Sequence, residues 1–153
     1  SDAARFPTTF EQIEDWLNKN FADYLVLHDR AVRGLRKIDR PIDITTLCEG
    51  IYFLFAHAKY LRKEITAEQR SLYQIDCSWN PSFSGKRAIE LNQKDYEIVV
   101  TKANGKKEKR LLDDHIKHGI GNRLIRIYYL WDSEMEKIII GSLPDHLPTT
   151  TDY

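Results

Sequence analysis

The chain has 153 residues, of which 42% are hydrophobic and 30% are charged. This length suits one domain with its own core, and the composition is that of a globular rather than a disordered protein. Lys and Arg together number 23, as do Asp and Glu, so the formal net charge is zero. That balance argues against strong non-specific binding to DNA or RNA.

Residues 1–76 carry the periodicity of about four helices. Thr9 and Gln12 form a capping box that opens the first helix. The second helix is predicted over residues 23–38, before Pro41 ends it.

The third helix is the most strongly apolar of the four. A capping box of Thr46 and Glu49 opens it, and apolar residues on more than one side indicate burial by several neighbours. Cys48 and His57, both within it, are predicted to be buried in the core. A fourth, short helix begins at Thr66.

A loop over residues 77–86 separates the helices from the rest of the chain, because it contains Asn80-Pro81 and Gly85. Its aromatic residues, Trp79 and Phe83, either form the lip of a binding site or fold back onto the core. We expect the second arrangement.

From residue 87 onward the period of the apolar residues drops to two, which predicts a β layer over 87–147. Asn104-Gly105 is a typical hairpin turn, with Lys107–Leu111 as the return strand. Residues 112–118 are predicted as a short helix closed by Gly119.

A second hairpin joins residues 124–131 to residues 137–143. Three consecutive isoleucines, Ile138 to Ile140, predict burial on both faces of its second strand. The predicted fold is therefore a single α+β domain over 1–153, with N-terminal helices on one face of a C-terminal antiparallel sheet of about four or five strands.

One group of residues in the β layer has the side chains that acid–base chemistry on a phosphate requires. Arg126 and Tyr128 are two positions apart and point from one face of a strand. A metal-independent ribonuclease needs a base, an acid and a cation, which His, Tyr and Arg supply. The candidate catalytic residues are Arg126, Tyr128, His115 and His146.

Two alternatives remain for this group. In the first, Arg126 pairs with Asp113 or Asp114, while Tyr128 packs within the sheet. In the second, three histidines and an aspartate bind zinc or manganese; they are Asp114, His115, His118 and His146. The sequence contains no H-E-x-x-H or C-x-x-C motif, and we predict neither a metal nor a cofactor.

A basic face on the predicted second helix is a candidate nucleic-acid contact, because its cations can follow a phosphate backbone. The residues are Arg30, Arg33, Lys37 and Arg40. A row of this kind can equally be a solvated face that pairs with acidic residues.

The closing segment, Arg126-Ile127-Tyr128-Tyr129-Leu130-Trp131-Asp132 followed by Ile138-Ile139-Ile140-Gly141, resembles the last hairpin of RelE/HigB-like toxin domains. The resemblance covers residues 96–146. It implies a small α+β ribosome-dependent ribonuclease, or a gyrase inhibitor of the ParE branch, with Arg126 and Tyr128 at functional positions. Those toxins are usually basic and have two N-terminal helices, whereas this chain is neutral and has about four.

Neutral charge and the absence of common nucleotide-binding and hydrolase motifs favour a non-catalytic recognition or regulatory module. We expect the C-terminal part of a larger bacterial protein, acting in the cytoplasm on a protein partner or on the remainder of its own chain. Nucleic acid is a possible partner. A membrane is not expected, since no apolar run approaches the roughly 20 residues of a spanning helix. The alternative function is a RelE-like metal-independent endoribonuclease.

Overall fold

Thr9 and Gln12 form the predicted capping box in the computed structural model, which describes residues 5–149. A 3₁₀ turn, Phe10–Gln12, leads into α1, Ile13–Phe21. The two termini, residues 1–4 and 150–153, lie outside the described part of the chain.

The single helix predicted over residues 23–38 is wrong at its beginning. Leu25–Leu27 form a strand, β1, and the helix that follows, α2, covers only Asp29–Arg36. His28 caps α2, because its ring nitrogen Nδ1 accepts a hydrogen bond from the backbone N–H of Arg30 at 3.0 Å. The two apolar residues that flank Val26 suit a buried strand, and β1 completes one edge of the sheet.

The long apolar helix is confirmed as α3, Ile44–Leu61. It begins two residues before the predicted cap, because the Asp43 carboxylate accepts the backbone N–H of Thr46 at 2.9 Å. The short α4, Ala67–Ser71, begins after Thr66 as predicted, and Thr66 and Gln69 form a capping box.

The loop after α4 folds back onto α3. Trp79 has no exposed surface, and its indole Nε1–H points to the Cys77 sulfur at 2.9 Å. The Cys77 thiol in turn lies 2.8 Å from the buried Glu49 carboxylate. The prediction that the loop aromatics fold back onto the core is wrong for Phe83, since 82% of its surface is exposed.

The first part of the predicted β layer is helical. Two short helices, α5 (Lys86–Leu91) and α6 (Gln93–Tyr96), precede the first hairpin. That hairpin, β3 (Glu97–Thr101) and β4 (Lys107–Leu111), is confirmed, and Gly105 adopts the positive φ of 82° that its turn requires.

The short helix predicted over residues 112–118 is wrong, because Asp114–His118 form a strand, β5. The seven residues of the predicted helix are too few to stabilise it without tertiary contacts. β5 instead hydrogen-bonds to strands on both sides: β2 (Ser82–Phe83) and β6 (Ile125–Asp132). The final hairpin of β6 and β7 (Lys137–Ser142) is confirmed.

The main sheet has the strand order β1-β7-β6-β5-β2, and the β3–β4 hairpin forms a separate two-stranded sheet. The α+β class is confirmed, but the main sheet is mixed rather than purely antiparallel. β1 runs parallel to β7, whereas β6, β5 and β2 pair antiparallel with their neighbours.

Both faces of the main sheet are buried, as the three consecutive isoleucines predict. On one face, α1, α2 and α3 cover Ile116, Ile127 and Ile138. We call this the helical face. On the opposite face, β3 and the segment after β7 cover Tyr128, Leu130 and Ile139; this is the hairpin face. None of the helices in the described residues is long and apolar enough to cross a membrane.

Candidate functional site

Three of the four candidate catalytic side chains lie together on the hairpin face of β5 and β6. His115 is the cross-strand partner of Tyr128, and their ring centroids are 5.3 Å apart. The Arg126 guanidinium donates from Nη1 to the Tyr128 hydroxyl at 3.2 Å. Alternation along the two strands explains this grouping, because residues two apart on a strand share a face.

The Tyr128 hydroxyl is a structural anchor. Tyr128 has no exposed surface, and its hydroxyl accepts the backbone N–H of Leu147 at 2.9 Å. Its ring packs edge-on against Tyr96 at a centroid distance of 5.9 Å. These contacts hold the segment after β7 onto the sheet and leave the phenol no access to a substrate.

His115 is also enclosed, with 8% of its surface exposed. Its Nδ1 lies 3.3 Å from the Ser84 hydroxyl oxygen. Burial, followed by the cations Arg126 and Lys117, lowers the pKa of His115 to about 4. The imidazole is therefore neutral at physiological pH, and it is a poor match for proton transfer near neutrality.

Arg126 has the least complete set of partners. Within the described residues it forms no ion pair, and its Nε–H is buried without an acceptor. The alternative pairing with Asp113 or Asp114 does not form, since neither carboxylate lies within ion-pair distance of Arg126. Asp114 lies on the helical face, opposite to Arg126. Lys117, the cross-strand partner of Arg126, is an exposed cation on the same face, whereas Arg126 is half-buried.

His146 is an exposed residue of the segment after β7. It lines a cleft of about 490 Å³ together with Arg40 and Asp145, and its Nδ1 lies 2.8 Å from the Leu147 carbonyl oxygen.

The alternative metal site does not form. Asp114 and His118 point to the helical face of β5, whereas His115 points to the hairpin face. No group of three or more metal-ligating side chains occurs in the described part of the chain.

The four cations of the predicted basic row have different surroundings in the structure. Arg30 donates to the Glu97 carbonyl oxygen at 3.4 Å, and Arg40 is engaged with Asp145 at 2.6 Å and with two backbone carbonyls. Only Arg33 and Lys37 of the predicted row are exposed. Lys37 and Arg40 lie beyond the end of α2, so the four cations do not share one helix face.

A second group of ionisable side chains, which the sequence did not reveal, lies on the helical face. Burial and the Asp113 carboxylate raise the pKa of Asp114 to about 6. Its cross-strand partner on β6 is Tyr129, whose ring lies 5.9 Å from that of His57. His57 is buried as predicted and lies 3.0 Å from an Arg70 nitrogen, so its neutral ring accepts a hydrogen bond from Arg70. Within the described residues, the Asp114 carboxyl group has no hydrogen bond or ion pair.

Comparison with known proteins identifies no relative of the chain. No family model matches the chain, and neither a curated protein nor a solved structure shows significant similarity to it.

Proposed function

We propose that the chain is a non-catalytic recognition module that binds an anionic group of its partner through Lys117 and Arg126. The observation that carries this proposal is the pairing of these two cations directly across β5 and β6. Like charges at directly opposite positions destabilise a sheet. An anion between them removes this repulsion.

Two other strand cations of the chain have carboxylates nearby. Lys109 lies 3.7 Å from Glu97, and Arg110 lies 4.0 Å from Asp132. Lys117 and Arg126 have no such neighbour among the described residues. This contrast supports an external counter-ion for the pair.

The surroundings of Arg126 favour binding over chemistry. The Tyr128 hydroxyl orients the guanidinium and is itself held by Leu147. A guanidinium fixed in this way presents a planar fork to a carboxylate or phosphate, and Lys117 adds a flexible point charge. The groups that would move protons, His115 and Tyr128, are buried beneath it.

The RelE-like endoribonuclease is the competing function, and an RNA-cleavage assay separates the two. The purified protein is incubated with RNA, with and without ribosomes and with EDTA, beside Arg126→Ala and His115→Ala. We expect no cleavage by any folded protein. Cleavage by the wild type that persists in EDTA and disappears in both variants would establish the nuclease instead.

Binding is tested with inorganic phosphate, acetate and a short RNA as probes, at constant ionic strength. Lys117→Met and Arg126→Met remove each charge but keep a side chain of similar length. We expect each to weaken phosphate binding by about tenfold, since hydrogen bonds to charged groups contribute about 1.5–3 kcal/mol. Lys107→Met removes an exposed strand lysine elsewhere and is the matched control.

A saturable phosphate signal that Lys107→Met leaves unchanged supports the proposed site. Equal losses in all three variants would mean that the anion senses only overall charge, and the proposal would fail. Tighter binding of the RNA than of phosphate would identify the partner as a nucleic acid rather than a protein.

A further inference from the structure

We infer that the β2 edge of the main sheet is a docking site for an extended segment of a partner protein that carries a lysine or arginine. This surface is distinct from the Lys117–Arg126 pair. Three features meet there: an open strand edge, an exposed aromatic ring and a carboxyl group without a counter-ion.

The open edge belongs to β2, the last strand of the main sheet. Both of its residues, Ser82 and Phe83, are exposed. An edge strand offers unpaired backbone N–H and C=O groups, to which an extended peptide can add as a further strand. The opposite edge of the sheet is different, since β1 is mostly buried.

The aromatic ring is that of Phe83. With 82% of its surface exposed, it contributes little to the core. Other aromatic side chains of the preceding segment do pack inward: Trp79 is fully buried, and Tyr73 contacts Tyr52 at a ring distance of 5.3 Å. Phe83 therefore presents an apolar surface to a partner.

The carboxyl group is that of Asp114, the cross-strand partner of Phe83. Cross-strand partners share a sheet face, so the ring and the carboxyl group are neighbours. Asp114 is half-buried beside Asp113, and no described residue provides a cation for it. A partner's lysine or arginine placed here neutralises the carboxylate and lies against the Phe83 ring in a cation–π contact.

The charges at this edge favour a different protein as the occupant. Two copies that met through this edge would oppose Asp113 and Asp114 of one copy to those of the other, and like charges at opposed positions are destabilising. The proposed occupant is a different protein with a basic residue in an extended segment. Self-association of the chain through its exposed basic strand β4 would overturn this assignment.

The test uses fluorescent ten-residue peptides and anisotropy. One peptide alternates threonine and lysine, a second alternates threonine and glutamate, and a third is the lysine peptide with two central prolines. We expect the full chain to bind the first peptide most tightly. Proline removes the backbone N–H that strand addition requires, so the third peptide is expected to lose most of its binding.

Phe83→Ala and Asp114→Asn are each expected to weaken binding of the lysine peptide by about fivefold or more. The matched controls are Ile120→Ala, which removes a side chain that is 87% exposed elsewhere, and Asp39→Asn, at another exposed acidic position. Neither control is expected to change binding. All four positions are at least partly accessible, and thermal unfolding verifies that each variant is folded.

Equal binding of the lysine and glutamate peptides would overturn the charge selection. Undiminished binding of the proline peptide would overturn strand addition. A loss in Asp39→Asn as large as that in Asp114→Asn would show that the peptide responds only to the overall charge, which also overturns the site.

Discussion

At the residue scale, Asp114 is half-buried, and no described residue neutralises it. Its pKa is raised to about 6, so ionisation at neutral pH costs stability. We predict that Asp114→Asn stabilises the protein by roughly 1–2 kcal/mol near pH 7, because an amide carries no charge to desolvate. Near pH 4 the carboxyl group is protonated in the folded protein and close to its ordinary pKa of 3.8 in the unfolded chain, so most of the gain is expected to be lost.

Urea unfolding of the wild type and of Asp114→Asn, at pH 7 and at pH 4, measures this difference in the free energy of unfolding. Asp39→Asn, at an exposed position, is the control and is expected to have little effect at either pH. A gain of the same size at both pH values would contradict ionisation as its cause.

A substitution of Arg40 tests whether the basic row of the second helix stabilises the fold or binds nucleic acid. Its guanidinium donates to the Asp145 carboxylate and to the carbonyl oxygens of Asn122 and Leu124, which joins the chain beyond α2 to the segments on either side of the β6–β7 hairpin. We predict that Arg40→Ala lowers the free energy of unfolding by about 1–2 kcal/mol.

Arg33→Ala, which removes an exposed cation from the same row, is expected to change stability by less than about 0.5 kcal/mol. Thermal unfolding compares the two variants. If Arg40→Ala were neutral in stability but weakened RNA binding, the nucleic-acid interpretation of the row would be restored.

At the element scale, the contact of α3 with β6 and the Trp79 loop depends on Gly50. Alanine at a solvent-exposed position in a helix is more stable than glycine by about 1 kcal/mol. At Gly50, however, a Cβ atom would lie 2.9 Å from the side chains of both Ile127 and Trp79, and both residues are fully buried. We therefore predict that Gly50→Ala destabilises the protein by roughly 1–3 kcal/mol, because the core has no room for the methyl group.

Denaturant unfolding measures this effect. Trp79→Phe removes the ring atoms nearest to Gly50, so Gly50→Ala is expected to cost less in that background than in the wild type. A stabilising effect of Gly50→Ala would show that the loop moves away from α3 without cost.

Elements whose pairing is local were predictable, and those fixed by distant partners were not. The Asn104-Gly105 turn and the β6–β7 hairpin are encoded by adjacent residues, and both are present. Residues 114–118 have charged and histidine side chains at helical spacing, but pairing with β2 and β6 makes them a strand. Tertiary contacts of this kind override local propensity.

The candidate site illustrates the same limit. The spacing of Arg126 and Tyr128 predicted their shared face. Because residues 114–118 form a strand and not the predicted helix, a different set of side chains neighbours Arg126 and Tyr128. His115 lies on their face of the sheet, whereas Asp114 and His118 lie on the opposite face. The pairing of Lys117 with Arg126 depends on strand register, which single-sequence patterns do not provide.

At the scale of the whole molecule, the sheet has a buried histidine on each face. His57 lies on the helical face and His115 on the hairpin face, and both have a pKa of about 4. Burial is the first cause in each case, followed by Arg70 for His57 and by Arg126 and Lys117 for His115. Each imidazole is therefore neutral in the folded protein over a range in which the unfolded chain binds a proton.

This difference gives the molecule a predictable response to acid. Between about pH 6.5 and pH 4 the unfolded state binds more protons at these histidines, so the free energy of unfolding falls as the pH falls. Asp114 acts in the opposite direction, because its raised pKa lets the folded state bind a proton first. The two histidines together bind about two more protons in the unfolded state, and Asp114 binds about one more in the folded state. The free energy of unfolding therefore changes with a net slope of about one proton, or about 1.4 kcal/mol per pH unit.

Urea unfolding across this pH range measures the slope. His57→Gln and His115→Gln are each expected to remove about one proton of pH dependence, and in the double variant the remaining term from Asp114 reverses the sign of the slope. Asp114→Asn is expected to make the slope steeper. If neither histidine variant changed the slope, the acid response would have to arise from other groups, and the neutral state of the two buried imidazoles would be refuted.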